Sequence, residues 1–178
     1  MGGCIKPIGG GIYHMELNFK KCSEEDFEDF YILRCDKENI YWTGHDKEPN
    51  KDSLYEWYTE QLRRNDRIMF IARTDGLSEP IGYLYLDIIG NTVEISYAIS
   101  SKEWNHGFGT KLILFSIKYS KKNLISIKNI YGWVFDFNYA SIRCFEKNRF
   151  VKSGEIKLSY FEPGKQYFLM SKYEYSIE

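Results

Sequence analysis

The chain has 178 residues, 43% of them apolar and 17% aromatic, with a formal net charge of −1. That length fits one domain with a real core, and the balanced charge excludes a global basic field of the kind that draws in nucleic acid. No window approaches ~18 consecutive apolar residues, so no membrane span is expected. Cys4, Cys22, Cys35 and Cys144 form no C-x-x-C pair and have no zinc-finger spacing with His14, His45 or His106. Scattered cysteines suit a reduced, cytoplasmic protein without a metal centre better than a disulfide framework.

Residues 1–12 are glycine-rich and carry neither a secretory leader nor the Ser/Thr of a myristoylation motif. A loose lead-in is expected there, followed by a single domain over 13–178. A first strand fits the alternation of 13–19. A helix fits "SEEDFEDFYILRC", with Ser23 as cap, acids in its first turn and Phe27, Phe30 and Tyr31 on one face. Residues 36–51 read as polar and turn-rich. Residues 52–64 form a second helix with Leu54, Trp57, Tyr58 and Leu62 on one face. Strands over 67–74, 80–89 and 91–100 form an antiparallel meander, the last pair joined by a Gly-Asn turn. Then come a glycine-bearing loop, a helix over 110–123, a strand over 129–137, a short helix within 138–150 and a final hairpin through "EPGK".

This order gives a mixed α/β fold in which a parallel crossover interrupts a mostly antiparallel sheet. Its functional point is expected where strands 91–100 and 129–137 part. Between them lies "WNHGFGTKL", residues 104–112. Glycines at 107 and 109 let the backbone turn tightly, and the helix behind them starts with unpaired amides and partial positive charge. That is a ready anion site. On the glycines alone, a plain strand-to-helix turn is equally consistent. Lys111 is out of frame for a P-loop, and Leu112 stands where a Rossmann fingerprint needs its third glycine.

"EISYAISSKEWNHGFGTKLI" resembles the central motif of the GNAT superfamily of N-acetyltransferases, whose pyrophosphate loop reads Q/R-x-x-G-x-G/A. Trp104 falls at the Q/R position, followed by Asn105, His106, Gly107, Phe108 and Gly109. Trp104 and Thr110 look like the branch related to ribosomal-protein N-terminal acetyltransferases, where W-G-x-G-x-G-T is frequent. "NYASIRCFEKNRF" is similar to the family's second cofactor motif. Asn138, Ser141, Glu146, Lys147 and Phe150 match it, while Phe145 and Arg149 replace Tyr and Gly.

The resemblance implies a GNAT-like sheet with splayed central strands, flanked by helices, and acetyl-CoA as acyl donor. Backbone groups of Tyr97, Ala98 and Ile99 would pair with the pantetheine arm as an added strand would. The diphosphate would lie on the amides of Asn105, His106, Gly107, Phe108, Gly109 and Thr110. Asn138, Ser141 and Phe145 would flank the pantetheine and thioester. The implied reaction is direct transfer of acetyl to a primary amine in a ternary complex, with no metal.

Such a transfer needs a base for the amine and a donor for the developing charges. Glu94 is the candidate base and Tyr97 the candidate donor. Phe145 stands where many relatives carry a Tyr acid, and a phenyl ring donates no proton. Phe145 therefore also motivates a non-catalytic acyl-CoA-binding module. Tyr139 or Ser141 could serve instead, and Cys144 reads as a packed thiol. The acceptor region is expected in 39–49 and 159–168. Tyr41, Trp42 and Trp57 would form a wall there, and Asp46, Glu48 and Glu162 would attract a cationic amine. The expected partner is a small-molecule or peptide amine, with an amino sugar or nucleotide-linked amino sugar as the alternative. Neither nucleic acid nor membrane is expected as a partner, and the chain is expected to be a monomer or homodimer.

Overall fold

A computed structural model describes residues 16–75 and 77–177. Seven strands form one sheet in the order β1-β2-β3-β4-β5-β7-β6. They are β1 (Leu17–Lys21), β2 (Arg67–Thr74), β3 (Gly82–Ile89), β4 (Thr92–Ile99), β5 (Asn129–Phe135), β6 (Val151–Phe161) and β7 (Gln166–Ser176). Among the described residues only β4 and β5 pair in parallel. The helices are α1 (Phe27–Arg34), α2 (Lys37–Trp42), α3 (Lys51–Leu62), α4 (Phe108–Asn123) and α5 (Tyr139–Lys147). The expected mixed α/β architecture is the observed one, including the meander and the crossover through α4. The lead-in over 1–12, and residues 13–15 of the expected first strand, lie outside the described residues.

Period-two alternation explains why the sheet is covered on both faces. In β2, Phe70 and Ala72 point to one core and Met69 and Ile71 to the other. In β3, Leu84 and Leu86 join the first core, and Tyr83 and Tyr85 the second. The first core is closed by Phe108, Leu112, Ile113 and Ile117 of α4 and by Phe145 of α5. The second is closed by Phe27, Phe30 and Leu33 of α1 and by Leu54 and Tyr58 of α3.

Residues 36–51 depart from the expected loop, because Lys37–Trp42 form the short helix α2. Asp36 caps it, its Oδ1 accepting from the amides of Glu38 and Asn39 at 3.0 and 3.3 Å. Six residues are too few to show a helical period, so the cap residue is the only local signal. The other carboxylate oxygen of Asp36 accepts from the amide and hydroxyl of Ser101, both at 2.8 Å. One side chain thus ties the start of α2 to the turn that leads into the glycine loop.

Candidate active site

The parallel pairing of β4 and β5 covers Thr92–Asn129, Val93–Ile130 and Glu94–Tyr131, and stops there. β4 stays paired to β3 as far as Ile99, and β5 to β7 as far as Phe135. The two central strands therefore splay, at the point where the fold was expected to place its function. The Ser100 amide donates to the Ile81 carbonyl at 2.8 Å. Antiparallel alternation then aims the backbone groups of Ser96 and Ala98 at β3, and those of Tyr97 and Ile99 into the gap. The Ile99 carbonyl there already accepts from the Trp104 indole N–H at 3.2 Å. Tyr97 and the Ile99 amide remain as an unpaired edge, whereas Ala98 offers the gap no backbone group.

Beside this edge α4 begins. Gly107 is its N-cap, with φ of +78°, and gives it no side-chain cap. The first helical bond runs from the Lys111 amide to the Gly107 carbonyl, at 3.2 Å. The amides of Phe108, Gly109 and Thr110 thus point out of the helix start without a partner inside it. The two glycines have different jobs. A Cβ on Gly107 would meet nothing within 4 Å, so this glycine serves the left-handed turn. A Cβ on Gly109 would come to 3.0 Å from Cys144 Sγ and 3.4 Å from Tyr97 Cε2, so that glycine serves close packing of α4. Asn105 also has positive φ, of 64°. His106 is exposed, with Nδ1 3.2 Å from Glu103 Oε2, and Phe108 is buried in the first core. Backbone rather than side chains is what this loop presents.

On the far side of the gap, Asn138 caps α5, its side chain accepting from the Ser141 amide at 3.1 Å. The hydroxyls of Ser141 and Tyr97 lie 3.1 Å apart. Burial raises the Tyr97 phenol, so it stays protonated and able to donate. Phe145 is 2% exposed, and its ring tip would lie 2.5 Å from a Cβ on Gly132. The missing side chain of Gly132 is the seat of that ring. Cys144 packs against the first core, as expected of a structural thiol.

A cleft of about 470 Å³ opens at the splay. Tyr97, Asn138, Ser141 and Phe145 line it from one face of the sheet. Ser96, Tyr83, Tyr85, Trp57, Arg34 and Arg67 line it from the other, so the gap joins both faces. Trp42 and Trp57 are in its wall as expected, with Trp133 added, whereas Tyr41 packs on Trp42 and Phe161 outside it. Glu94 sits at the foot of the fork, on the same face as Ser96, and is outside the lining. Its Oε2 accepts from Tyr131 at 3.1 Å. Burial first, then the Glu94 charge, pushes the Tyr131 phenol up to about 12.

Sequence reasoning missed Arg34, His45, Tyr83 and Tyr85, which come from three separate segments: the end of α1, the loop after α2, and β3. The acids expected to attract a cationic amine, Asp46, Glu48 and Glu162, are not among the cleft residues. Lys165 Nζ lies 4.0 Å from Asp46 and 3.3 Å from Glu162, and neither acid lines the cleft. Among the described residues the lining holds no Asp or Glu. Burial, with Arg34 beside it, holds the His45 imidazole below its ordinary 6.5. The ring is therefore neutral at physiological pH and able to accept a proton.

A model of the acetyltransferase (GNAT) family matches residues 21–150. No sequence of a curated protein matches the chain. Among solved structures, it resembles a spermidine N-acetyltransferase from Vibrio cholerae in complex with CoA and spermine. That match has a TM-score of 0.79 and 20% identity over 90% of this chain and 95% of the other. It also resembles a GNAT-family acetyltransferase from Streptococcus pneumoniae, with a TM-score of 0.72 and 18% identity over 92% and 100%. A dodecameric spermidine N-acetyltransferase structure from Vibrio cholerae matches at 0.73 and 22%, over 90% and 93%. At these identities the likeness is one of fold.

Proposed function

The chain belongs to the acetyltransferase (GNAT) family, and from that premise we propose that it moves an acetyl group from acetyl-CoA to a primary amine by direct transfer. The observation that carries this reading is the fork after Glu94 and Tyr131. There an unpaired strand edge lies beside an uncapped helix start. The free amide and carbonyl of Tyr97 and the amide of Ile99 suit a pantetheine arm, which carries amide groups of its own. The amides at the start of α4 suit a diphosphate. Acetyl-CoA would supply the activated thioester.

The residues around the splay suit the other half of the reaction. The amine must arrive neutral, so a proton acceptor has to lie within reach or one water away. The neutral His45 of the cleft wall and, through a water chain past Ser96, Glu94 are the candidate acceptors. When the C–N bond forms and the C–S bond breaks, the departing sulfur needs a donor or leaves as thiolate. The Tyr97–Ser141 hydroxyl pair is the candidate donor, in place of the phenolic hydroxyl that Phe145 lacks. The reading assigns residues 13–178 to one acyltransferase domain, in the cytoplasm. Exposed Leu158 and Leu169, paired on β6 and β7, support self-association. The likeness to ribosomal-protein N-terminal acetyltransferases rests on Trp104 and Thr110, and it keeps a peptide amine among the acceptors.

Calorimetric titration with CoA and acetyl-CoA, followed by a thiol-release assay against peptides, amino sugars and polyamines, tests the proposal. Micromolar binding and amine-dependent release are expected. Absence of CoA binding would sink it. Binding without release for any amine would turn the reading to an acyl-CoA-binding module.

A further inference from the structure

Three arginines of the described residues are half-buried, and they differ in one respect. Arg67 makes a two-pronged pair with Asp87, with Nε–Oδ1 at 2.5 Å and Nη2–Oδ2 at 2.8 Å. Arg73 pairs with Asp29. Arg34, at the end of α1, lines the cleft and has no carboxylate within ion-pair distance among the described residues. Its neighbours are the Phe30 ring, 5.9 Å from the guanidinium carbon, and the phenols of Tyr83 and Tyr85. Withdrawing a guanidinium from water without a counter-charge is costly, and natural interiors seldom leave one so.

A second, independent observation lies at the same place. Tyr85 Oη is buried beside Arg34 and gives its proton to no partner among the described residues. Such an orphan donor costs about 1–3 kcal/mol unless something bonds it. Both tyrosines are held protonated by burial, which Arg34 opposes, so Tyr85 has a proton to give. One end of the cleft thus combines a planar cation that has no carboxylate partner with an unused donor, and no acid among the described residues lines it.

We infer that the acceptor is a small amine that also carries an oxyanion, a carboxylate or a phosphate, seated on Arg34. This deepens the acetyltransferase reading and rests on it. A guanidinium fork matches either oxyanion in a bidentate manner. The aromatic wall of Trp57, Tyr83 and Trp133 gives the body of the molecule an apolar bed. A cleft of about 470 Å³ is of small-molecule size. The same guanidinium disfavours a polycation such as a polyamine, whose charges would meet Arg34 with no acid in the described lining to compensate.

The test is calorimetric titration of the protein saturated with CoA, which reads acceptor binding without turnover. Two matched pairs separate the two oxyanions: tyrosine against tyramine, and glucosamine 6-phosphate against glucosamine. Spermidine is the polycation control. The anionic member of at least one pair is expected to bind tenfold or more tightly than its neutral twin. Arg34→Gln should erase that preference and Arg34→Lys should keep part of it. CoA affinity should be equal in all three proteins, showing that the fold is intact. The inference is overturned if spermidine or the neutral twins bind as tightly as the anionic amines, if the preference survives Arg34→Gln, or if no amine binds. Failure of the wild-type protein to bind CoA would instead overturn the acetyltransferase reading beneath it.

Discussion

The two halves of the cleft are built in opposite ways. The donor half is almost contiguous: β4, the glycine loop and the start of α4 run from residue 92 to residue 111, and it offers mainly backbone. The acceptor half draws single side chains from α1, the loop after α2, α3, β3, β5 and β6. Backbone chemistry is the same in every relative, so a strand edge and a helix start can serve one constant donor. Side chains gathered from distant segments can change one at a time, and that suits a variable acceptor.

Asp36 is the sharpest place to break this division, because it touches both halves. Asp36→Ala removes two cap bonds from α2 and two bonds to Ser101. A loss of about 2–3 kcal/mol is expected in urea unfolding, with m unchanged. CoA affinity should fall as well. If only acceptor binding weakened, the halves would be independent.

Gly132→Ala tests the donor side from its core. The new methyl would meet the Phe145 ring at 2.5 Å, and overpacking of this kind costs about 1–3 kcal/mol. Gly132→Ala combined with Phe145→Leu should recover part of that loss by thermal unfolding. No recovery would mean that Gly132 serves something other than the ring.

Gly107→Ala should cost less, about 1 kcal/mol, since the Cβ meets nothing and only the left-handed conformation resists it. Gly109→Ala presses on Cys144 instead, so Cys144→Ala should rescue it. Rescue of Gly107→Ala by the same change would refute the separate roles of the two glycines.

The smallest effect is a pH dependence on the acceptor side. His45 is held below 6.5 by burial and by Arg34. The folded state therefore binds its proton less readily than the unfolded state does. Its contribution to stability is complete above about pH 6.5 and is lost as pH falls through the lowered value. His45→Gln should flatten the stability profile in that window. An oxyanion on Arg34 should raise the His45 value by screening Arg34, which an NMR titration of the imidazole would read.

The fold was largely legible because its signals are local. Alternation in 67–100 and the apolar face of 110–123 marked a meander and a crossover helix. The glycines at 107 and 109 also marked the donor site, although their separate duties appear only when α4 is seen against Cys144 and Tyr97. Helix α2 escaped because six residues show no period. The acceptor chemistry escaped for another reason. Asp46 and Glu162 look like an acidic lure in the chain, and only the hairpin brings Lys165 onto them. Arg34 looks like an interruption in the face of α1, and only the folded cleft shows that no acid among the described residues meets it.

Residue-resolved amide exchange by NMR, with and without CoA, tests the donor site most directly. The amides of Tyr97, Ile99, Phe108, Gly109 and Thr110 should become protected on binding. Those of Ser96 and Ala98, already aimed at β3, should not change. Protection that bypasses Tyr97 and Ile99, or that appears equally at Ser96 and Ala98, would contradict the fork as the place where CoA is held.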